Sequence, residues 1–251
     1  MRPIISKKIH YCWFGRNPLS QSAIRCIDSW RRYLPDHEII EWNEDNFDVN
    51  SIPYTAQAYA AGKYAFVSDY ARFKILYEQG GLYFDTDVEV IRPMDDILAR
   101  GPFMGFEINP TPNVSHGAVN PGLGLGAPAG LSLYRDILNY YFRLDFIKPD
   151  GSYNITDAVV NITTRQLVKA GLDDTPGIQS AAGITIYPAD YFNPFDDATG
   201  RMNKTCNTRS IHWYSKTWMN VSPVRQRIAR LAHRMFGTKI LTKAMCLFRN
   251  V

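Results

Sequence analysis

Two aspartates, Asp85 and Asp87, stand where an apolar run ends, inside the stretch Val67 to Val90 that reads VSDYARFKILYEQGGLYFDTDVEV. Residues two apart on an extended strand project to the same side, so both carboxylates face one way. Two hard oxygen ligands at a strand end suit Mn²⁺ or Mg²⁺, with the remaining positions left to water and a diphosphate. The same spacing arises by chance on an exposed strand face, here Tyr83, Asp85, Asp87 and Glu89. On spacing alone the metal site and ordinary surface charge weigh about equally.

Asp69 and Arg72 change that balance. On a helix they are neighbours, and a helix running through Gly80-Gly81 into the Asp85 strand brings its start close to that strand's end. A carboxylate accepts from sugar hydroxyls, while a guanidinium and a cation meet phosphate oxygens. The set therefore suits a sugar bearing a diphosphate. The competing reading is an isolated surface ion pair, which contributes only about 0.3 to 0.5 kcal/mol.

The elements that must position these groups alternate between strand and helix. Lys8 to Phe14 reads as a buried strand ended by Gly15. Ile24, Ile27, Trp30 and Leu34 recur at helical spacing until Pro35, and Glu38 to Trp42 gives a second strand, completing a β-α-β unit. Tyr54 to Gln79 is helical again, with Ser68 expected to cap a second helix and Gly80-Gly81 to end it in a left-handed turn. Leu82 to Val90 follows as one strand. Gly105 to Ala129, rich in Gly, Pro and Asn, reads as long loops. Helices are expected over 131–144 and 156–169, and strands over 184–187 and 209–214. The fold class is α/β, with a single domain at 1–221 and a basic helical appendage at 222–251.

Composition agrees with a globular chain: 251 residues, 45% hydrophobic, 13% aromatic and 21% charged. That excludes disorder, collagen-like and coiled-coil architectures. The net charge of +4 hides an asymmetry, because residues 1–197 hold all 24 acids with 17 bases, while 198–251 hold 11 bases and no acid. An acidic body with a basic tail speaks against a nucleic-acid-binding body and for an anionic lipid or phosphate partner. In the tail, Val224, Ile228, Leu231 and Met235 form one helical stripe flanked by Arg227, Arg230 and Arg234, the pattern of a helix lying in a membrane interface. Packing of that stripe on the body is the equal alternative. Cys12, Cys26, Cys206 and Cys246 form no CxxC pair, which points to a reducing compartment. With no signal-like or membrane-spanning run, a cytoplasmic location is expected, with attachment to the inner face of the plasma membrane through the tail.

Two other motifs compete. Asn120 to Ala127, NPGLGLGA, has the spacing G-x-G-x-x-A, but Pro121 and a polar lead-in replace the strand that a dinucleotide-binding turn needs. LYFDTDVEV also looks like the start of haloacid-dehalogenase-type phosphatases, with Asp85 as nucleophile, Asp87 as acid/base and Asp196-Asp197 as a later acidic motif. Those enzymes carry this strand near the start of the domain, whereas 84 residues precede Asp85 here.

Three anchors, IHYCWFG, SDYARFKILYEQGGLYFDTDVEV and IHWYSKTW, together resemble the glycosyltransferases with a DXD-containing sugar-binding region. That family includes bacterial capsule and lipopolysaccharide transferases and yeast initiating mannosyltransferases, and is distantly similar to the clostridial glucosylating toxins. The resemblance spans roughly Lys8 to Trp218. It implies a GT-A-type nucleotide-sugar-binding fold, a nucleoside-diphosphate sugar donor with UDP-sugars foremost, Mn²⁺ or Mg²⁺, and retention at the anomeric carbon. The acceptor would be a hydroxyl of a glycan or lipid-linked oligosaccharide in surface polysaccharide synthesis. By position, Trp13 would stack on the base, with Ser68, Asp69, Arg72, Tyr83 and Asp85 holding the donor. Asp85, Asp87 and His212 would ligate the metal, Trp218 would close over the diphosphate, and Asp85, Asp87 and Arg72 would carry catalysis. Thr217 stands where many members have Ser. A non-catalytic glycan- or nucleotide-binding relative remains the other alternative to the phosphatase.

Overall fold

A computed structural model describes residues 5–215. β1 (Lys8–Cys12) and β2 (Glu38–Trp42) pair in parallel around the crossover helix α1 (Gln21–Tyr33), as the β-α-β reading expects. Ser20 starts α1 by accepting the Ala23 amide on its hydroxyl at 3.1 Å. Pro53 opens α2 (Pro53–Ala60), and α3 (Tyr64–Gln79) follows after a break at Gly62, whose φ is +68°.

That break overturns the expected cap. Ser68 lies within α3, not at its start, and donates its hydroxyl to the Tyr64 carbonyl at 3.2 Å. A carbonyl four residues back offers a helical serine this partner without any helix end. The exit from α3 is as expected: Gly80 and Gly81 have φ of +63° and +108°. A Cβ on Gly81 would stand 2.7 Å from the Lys8 carbonyl oxygen, so only glycine fits between helix and sheet.

The expected strand Leu82 to Val90 is instead two short strands. β3 (Gly81–Tyr83) joins the main sheet beside β1, then the chain turns, with the Val88 amide donating to the Asp85 carbonyl at 3.0 Å. β4 (Val88–Val90) leaves that sheet. The Trp30 indole holds it by donating to the Val88 carbonyl at 2.7 Å, and the Val90 amide donates to Ser29 at 2.9 Å.

After α4 (Asp95–Leu98), the segment 105–129 read as loops also holds strand: the end of β5 (Phe103–Ile108), β6 (Ala118–Val119) and β7 (Leu125–Ala127). β7 is central, antiparallel to both β3 and β5. Gly126 within it and Gly124 just before it leave room for aromatic rings. A Cβ on Gly126 would lie 2.5 Å from the Phe103 ring, and one on Gly124 2.7 Å from the Phe84 ring. α5 (Ser132–Tyr141), α6 (Val159–Lys169), β8 (Gln179–Ala181) and β9 (Ile184–Tyr187) come next. The described chain closes with α7 (Ala189–Phe192), the hairpin β10 (Phe195–Asp196) and β11 (Arg201–Met202), and β12 (Ser210–His212), which pairs antiparallel with β4.

The main sheet runs β2-β1-β3-β7-β5-β9-β8, with β6 on β5. Parallel neighbours at β2-β1-β3 and β5-β9 flank antiparallel β7, so the α/β expectation holds as a mixed sheet. Alternation along the strands divides the core. Ile9, Tyr11, Leu82 and Phe103 pack with Trp30 of α1 and Phe192 of α7, while Cys12, Tyr83, Met104 and Phe106 pack with Phe73 of α3 and Tyr134 of α5. The loop after β3 is thus held at one edge of a two-faced core, between α3 and β12. Among the described residues no helix is long and apolar enough to cross a membrane. Trp218, Thr217 and the appendage at 222–251 lie outside the described residues.

Candidate functional site

α3 carries the first part of the site. Arg72 is buried, with 4% of its side chain exposed, and its guanidinium bridges Asp69 at 2.9 Å and Asp85 at 3.2 Å. The Ser68 carbonyl accepts from Arg72 Nε at 3.2 Å, and the guanidinium lies over the Tyr83 ring, 5.0 Å from its centre. Tyr83 donates its hydroxyl to Asp85 at 3.1 Å. The surface-ion-pair reading of Asp69 and Arg72 fails on this burial, as does the exposed-face reading of Tyr83, which is 1% accessible.

β12 carries the second part. His212 Nε2 donates to Asp87 at 3.1 Å, and the Ser215 amide and hydroxyl donate to the other Asp87 oxygen at 2.8 and 3.1 Å. The Trp213 amide donates to the Asp87 carbonyl at 2.9 Å. The extended geometry used to align the two aspartates is absent here, since both lie in the turn after β3. Convergence comes instead from the turn and from β12: ligand atoms of Asp85, Asp87 and His212 all lie within 4.8 Å of one another.

Electrostatics separates these groups. Burial pushes Asp69 up to about 7 against the pull of Arg72, with Asp85 adding to the rise. Burial and the Asp87 charge raise Asp85, partly offset by Arg72 and His212. At Asp87 burial is outweighed by His212 and the Ser215 donors, which hold its carboxyl well below the usual range. His212 in turn resists its own burial and is raised by Asp87.

Two carboxylates and an imidazole form a donor set that Mn²⁺ or Mg²⁺ accepts. His212 Nδ1 is buried without a hydrogen-bond partner, so the ring has a nitrogen left for a further contact. These residues fit the divalent cation that the sequence suggests.

Several residues shape the site without any signal in the local sequence. Gly122 faces Asp85, where a Cβ would sit 2.2 Å from a carboxylate oxygen. Asn120, Glu107 and Tyr214 form a hydrogen-bonded chain behind it. Trp13 is half-buried, packs at the margin of the α1-side core, and donates its indole N–H to the Asn17 carbonyl at 2.7 Å. It therefore keeps an accessible part, unlike a core tryptophan such as Trp30. In NPGLGLGA, Asn120 caps a single 3-10 turn at Pro121–Leu123 that leads into β7 and opens no α-helix, which removes the dinucleotide reading. Asp196 accepts from Thr199 and Ala198 in its own turn.

Residues 20–104 match the model of a family described as glycosyltransferase sugar-binding region containing DXD motif. The Subversion of eukaryotic traffic protein A of Legionella pneumophila is 30% identical over 134 residues, 42% of this chain and 20% of that protein. Inositol phosphoceramide mannosyltransferase 1 of Schizosaccharomyces pombe is 28% identical over 116 residues, 40% of this chain and 33% of that protein. The chain thus spans far less than two thirds of the length of these curated relatives. A solved structure titled PaToxG Glycosyltransferase is similar at 20% identity and TM-score 0.49, over 67% of this chain and 70% of that one. The family resemblance read from the sequence holds over residues 20–104, and the phosphatase alternative is not favoured.

Proposed function

We propose that the chain is a metal-dependent glycosyltransferase that moves a sugar from a nucleoside diphosphate to an acceptor hydroxyl. The observation that carries this is the meeting of Asp85, Asp87 and His212 within 4.8 Å, beside a buried Asp69–Arg72 pair. Asp85, Asp87 and His212 would hold Mn²⁺ or Mg²⁺, which supplies positive charge for the departing diphosphate. Asp69, Arg72 and Asp85 orient the sugar: carboxylate oxygens accept from its hydroxyls, and the guanidinium stays charged beside them. Tyr83 and the Ser68 carbonyl fix that guanidinium. Trp13 offers a ring face to the base, and Trp218 completes the donor set in this reading.

The carboxylates of the cluster are already engaged: Asp69 and Asp85 share Arg72, and Asp87 is held by three donors. Same-face displacement, with retention at the anomeric carbon, is proposed on the family resemblance and needs no covalent nucleophile. The acceptor is a glycan or a lipid-linked oligosaccharide, and a role in surface polysaccharide synthesis at the cytoplasmic membrane face agrees with the basic tail. The name of the yeast relative adds a mannosyl donor and a lipid-borne acceptor to the range worth testing.

The test is a panel of uridine, guanosine and other nucleotide sugars, incubated with and without Mn²⁺ and assayed for free nucleotide. Metal-dependent release from one donor supports the proposal. Nucleotide binding without release in any combination, including added sugar acceptors, would make the chain a binding relative. Hydrolysis of a simple phosphate monoester in place of any nucleotide sugar would restore the phosphatase.

A further inference from the structure

Glu107 is the penultimate residue of β5, and each of its carboxylate oxygens holds a different wall of the site. One accepts from Asn120 Nδ2 at 3.1 Å, the other from the Tyr214 hydroxyl at 3.1 Å. Its backbone carbonyl accepts from Asn193 Nδ2 at 3.2 Å, which pins the strand end to the residue after α7.

The Asn120 branch leads to Asp85. Asn120 Oδ1 accepts the Gly122 amide at 2.7 Å, which sets Gly122 against the carboxylate at a distance no larger residue allows. The Tyr214 branch leads to Asp87. Tyr214 stands between His212 and Ser215, both donors to Asp87, and its ring meets His212 edge-on at 4.2 Å between centres. Its φ is +49°, a left-handed conformation that a tyrosine holds only when its surroundings impose it. The hydroxyl bond to Glu107 is such a restraint.

We infer that Glu107 is a positioning residue that ties the Asn120–Gly122 wall on Asp85 to the Tyr214 segment on Asp87. Each of its oxygens receives a proton donor from a different segment of the protein, which is the geometry of a bracket. The inference deepens the proposed function and rests on it for the identity of the cation.

The test uses Glu107→Ala, Glu107→Gln and Tyr214→Phe in the full chain. Two readouts are needed: Mn²⁺ affinity by calorimetry without donor, and hydrogen exchange at the Trp213 and Ser215 amides without metal. Partners that orient metal ligands typically change affinity about 10- to 100-fold. Glu107→Ala is expected to weaken Mn²⁺ by that factor and to speed exchange at Ser215. Glu107→Gln should recover most of both, since its amide can donate to the Tyr214 oxygen while its carbonyl accepts from Asn120. Tyr214→Phe added to Glu107→Ala should cost less than the product of the separate effects. Unchanged affinity and exchange in a folded Glu107→Ala would overturn the inference, and so would Glu107→Gln behaving like Ala, which would make charge the cause. If Glu107→Ala does not fold, normal Ser215 exchange in Tyr214→Phe overturns it instead. Failure of the native protein to bind Mn²⁺ refutes the metal reading, and the exchange measurements then decide the bracket alone.

Discussion

Asp85 belongs to the α3 side of the site and Asp87 to the β12 side, and the two sides treat the same side chain in opposite ways. Asp85 shares a guanidinium with Asp69 and takes one tyrosine hydroxyl, and burial together with the neighbouring Asp87 leaves its pKa raised. Asp87 receives an imidazole, an amide and a hydroxyl, and these donors overcome the burial of a side chain less exposed than that of Asp85. The number of donors facing a carboxylate, and not its depth, decides which form the fold prefers. Asp87 is therefore part of what holds the chain together, while Asp85 is kept at a cost.

The sharpest test of that contrast is Asp87→Asn against Asp85→Asn. Both should lower metal-dependent nucleotide release at least about 100-fold, in line with loss of a charged metal ligand. Only Asp87→Asn should also melt earlier, because it unhooks His212 and Ser215. A loss of about 1 to 3 kcal/mol corresponds to roughly 2 to 12 °C for a chain of this size. Equal melting temperatures for the two variants, followed by circular dichroism, would erase the distinction.

Next in size is Trp13→Ala, which lies outside both sides and should leave their melting behaviour alone. Loss of base stacking, about 1 to 3 kcal/mol, predicts nucleotide binding weaker by about 5- to 150-fold in calorimetry. A large drop in melting temperature with unaltered nucleotide affinity would return this ring to the core. Gly122→Ala acts on the Asp85 side alone. The new methyl must displace the carboxylate from a 2.2 Å approach, so donor turnover should fall about tenfold or more, with the melting point nearly kept. Turnover within twofold of the native protein would mean that Asp85 can move freely.

The smallest effect is a pH slope. Asp69 is pushed up to about 7 in the fold from an ordinary value near 3.8, so the folded state binds more protons between those limits. Stability then falls as pH rises from about 4 to 7, and Asp69→Asn should flatten that part of the curve. His212 and Asp87 titrate in both proteins and cancel in the comparison. Urea midpoints measured at pH 5 and pH 7.5 check it, and parallel slopes in the two proteins would refute the assignment.

What the sequence made legible was local. Asp69 and Arg72 lie on one helix and Asp85 and Asp87 just beyond the short strand that follows it, so they are close in sequence, and Gly80-Gly81 announces the turn between helix and strand. The β-α-β opening and β9 were readable from periodicity for the same reason. β7 was not, because Gly124 and Gly126 make room for Phe84 and Phe103, and a composition rule takes such glycines for a loop. The split between β3 and β4 was hidden because β4 owes its place to Trp30 and β12, both remote in sequence. Glu107, Asn120 and Tyr214 come from separate segments and meet only through the fold.

The Ser215–Asp87 contact joins residues 128 apart along the chain. During synthesis at about 5 to 20 residues per second, the acidic half of the site exists roughly 6 to 26 seconds before its imidazole and serine partners are made. Throughout that interval α3 and β3 can already pair, because their contacts are short in sequence, while Asp87 lacks its donors. A nascent chain of this kind holds two neighbouring carboxylates whose mutual repulsion nothing from β12 yet relieves. The full set of donors to Asp87 is thereby deferred until the chain extends through Ser215.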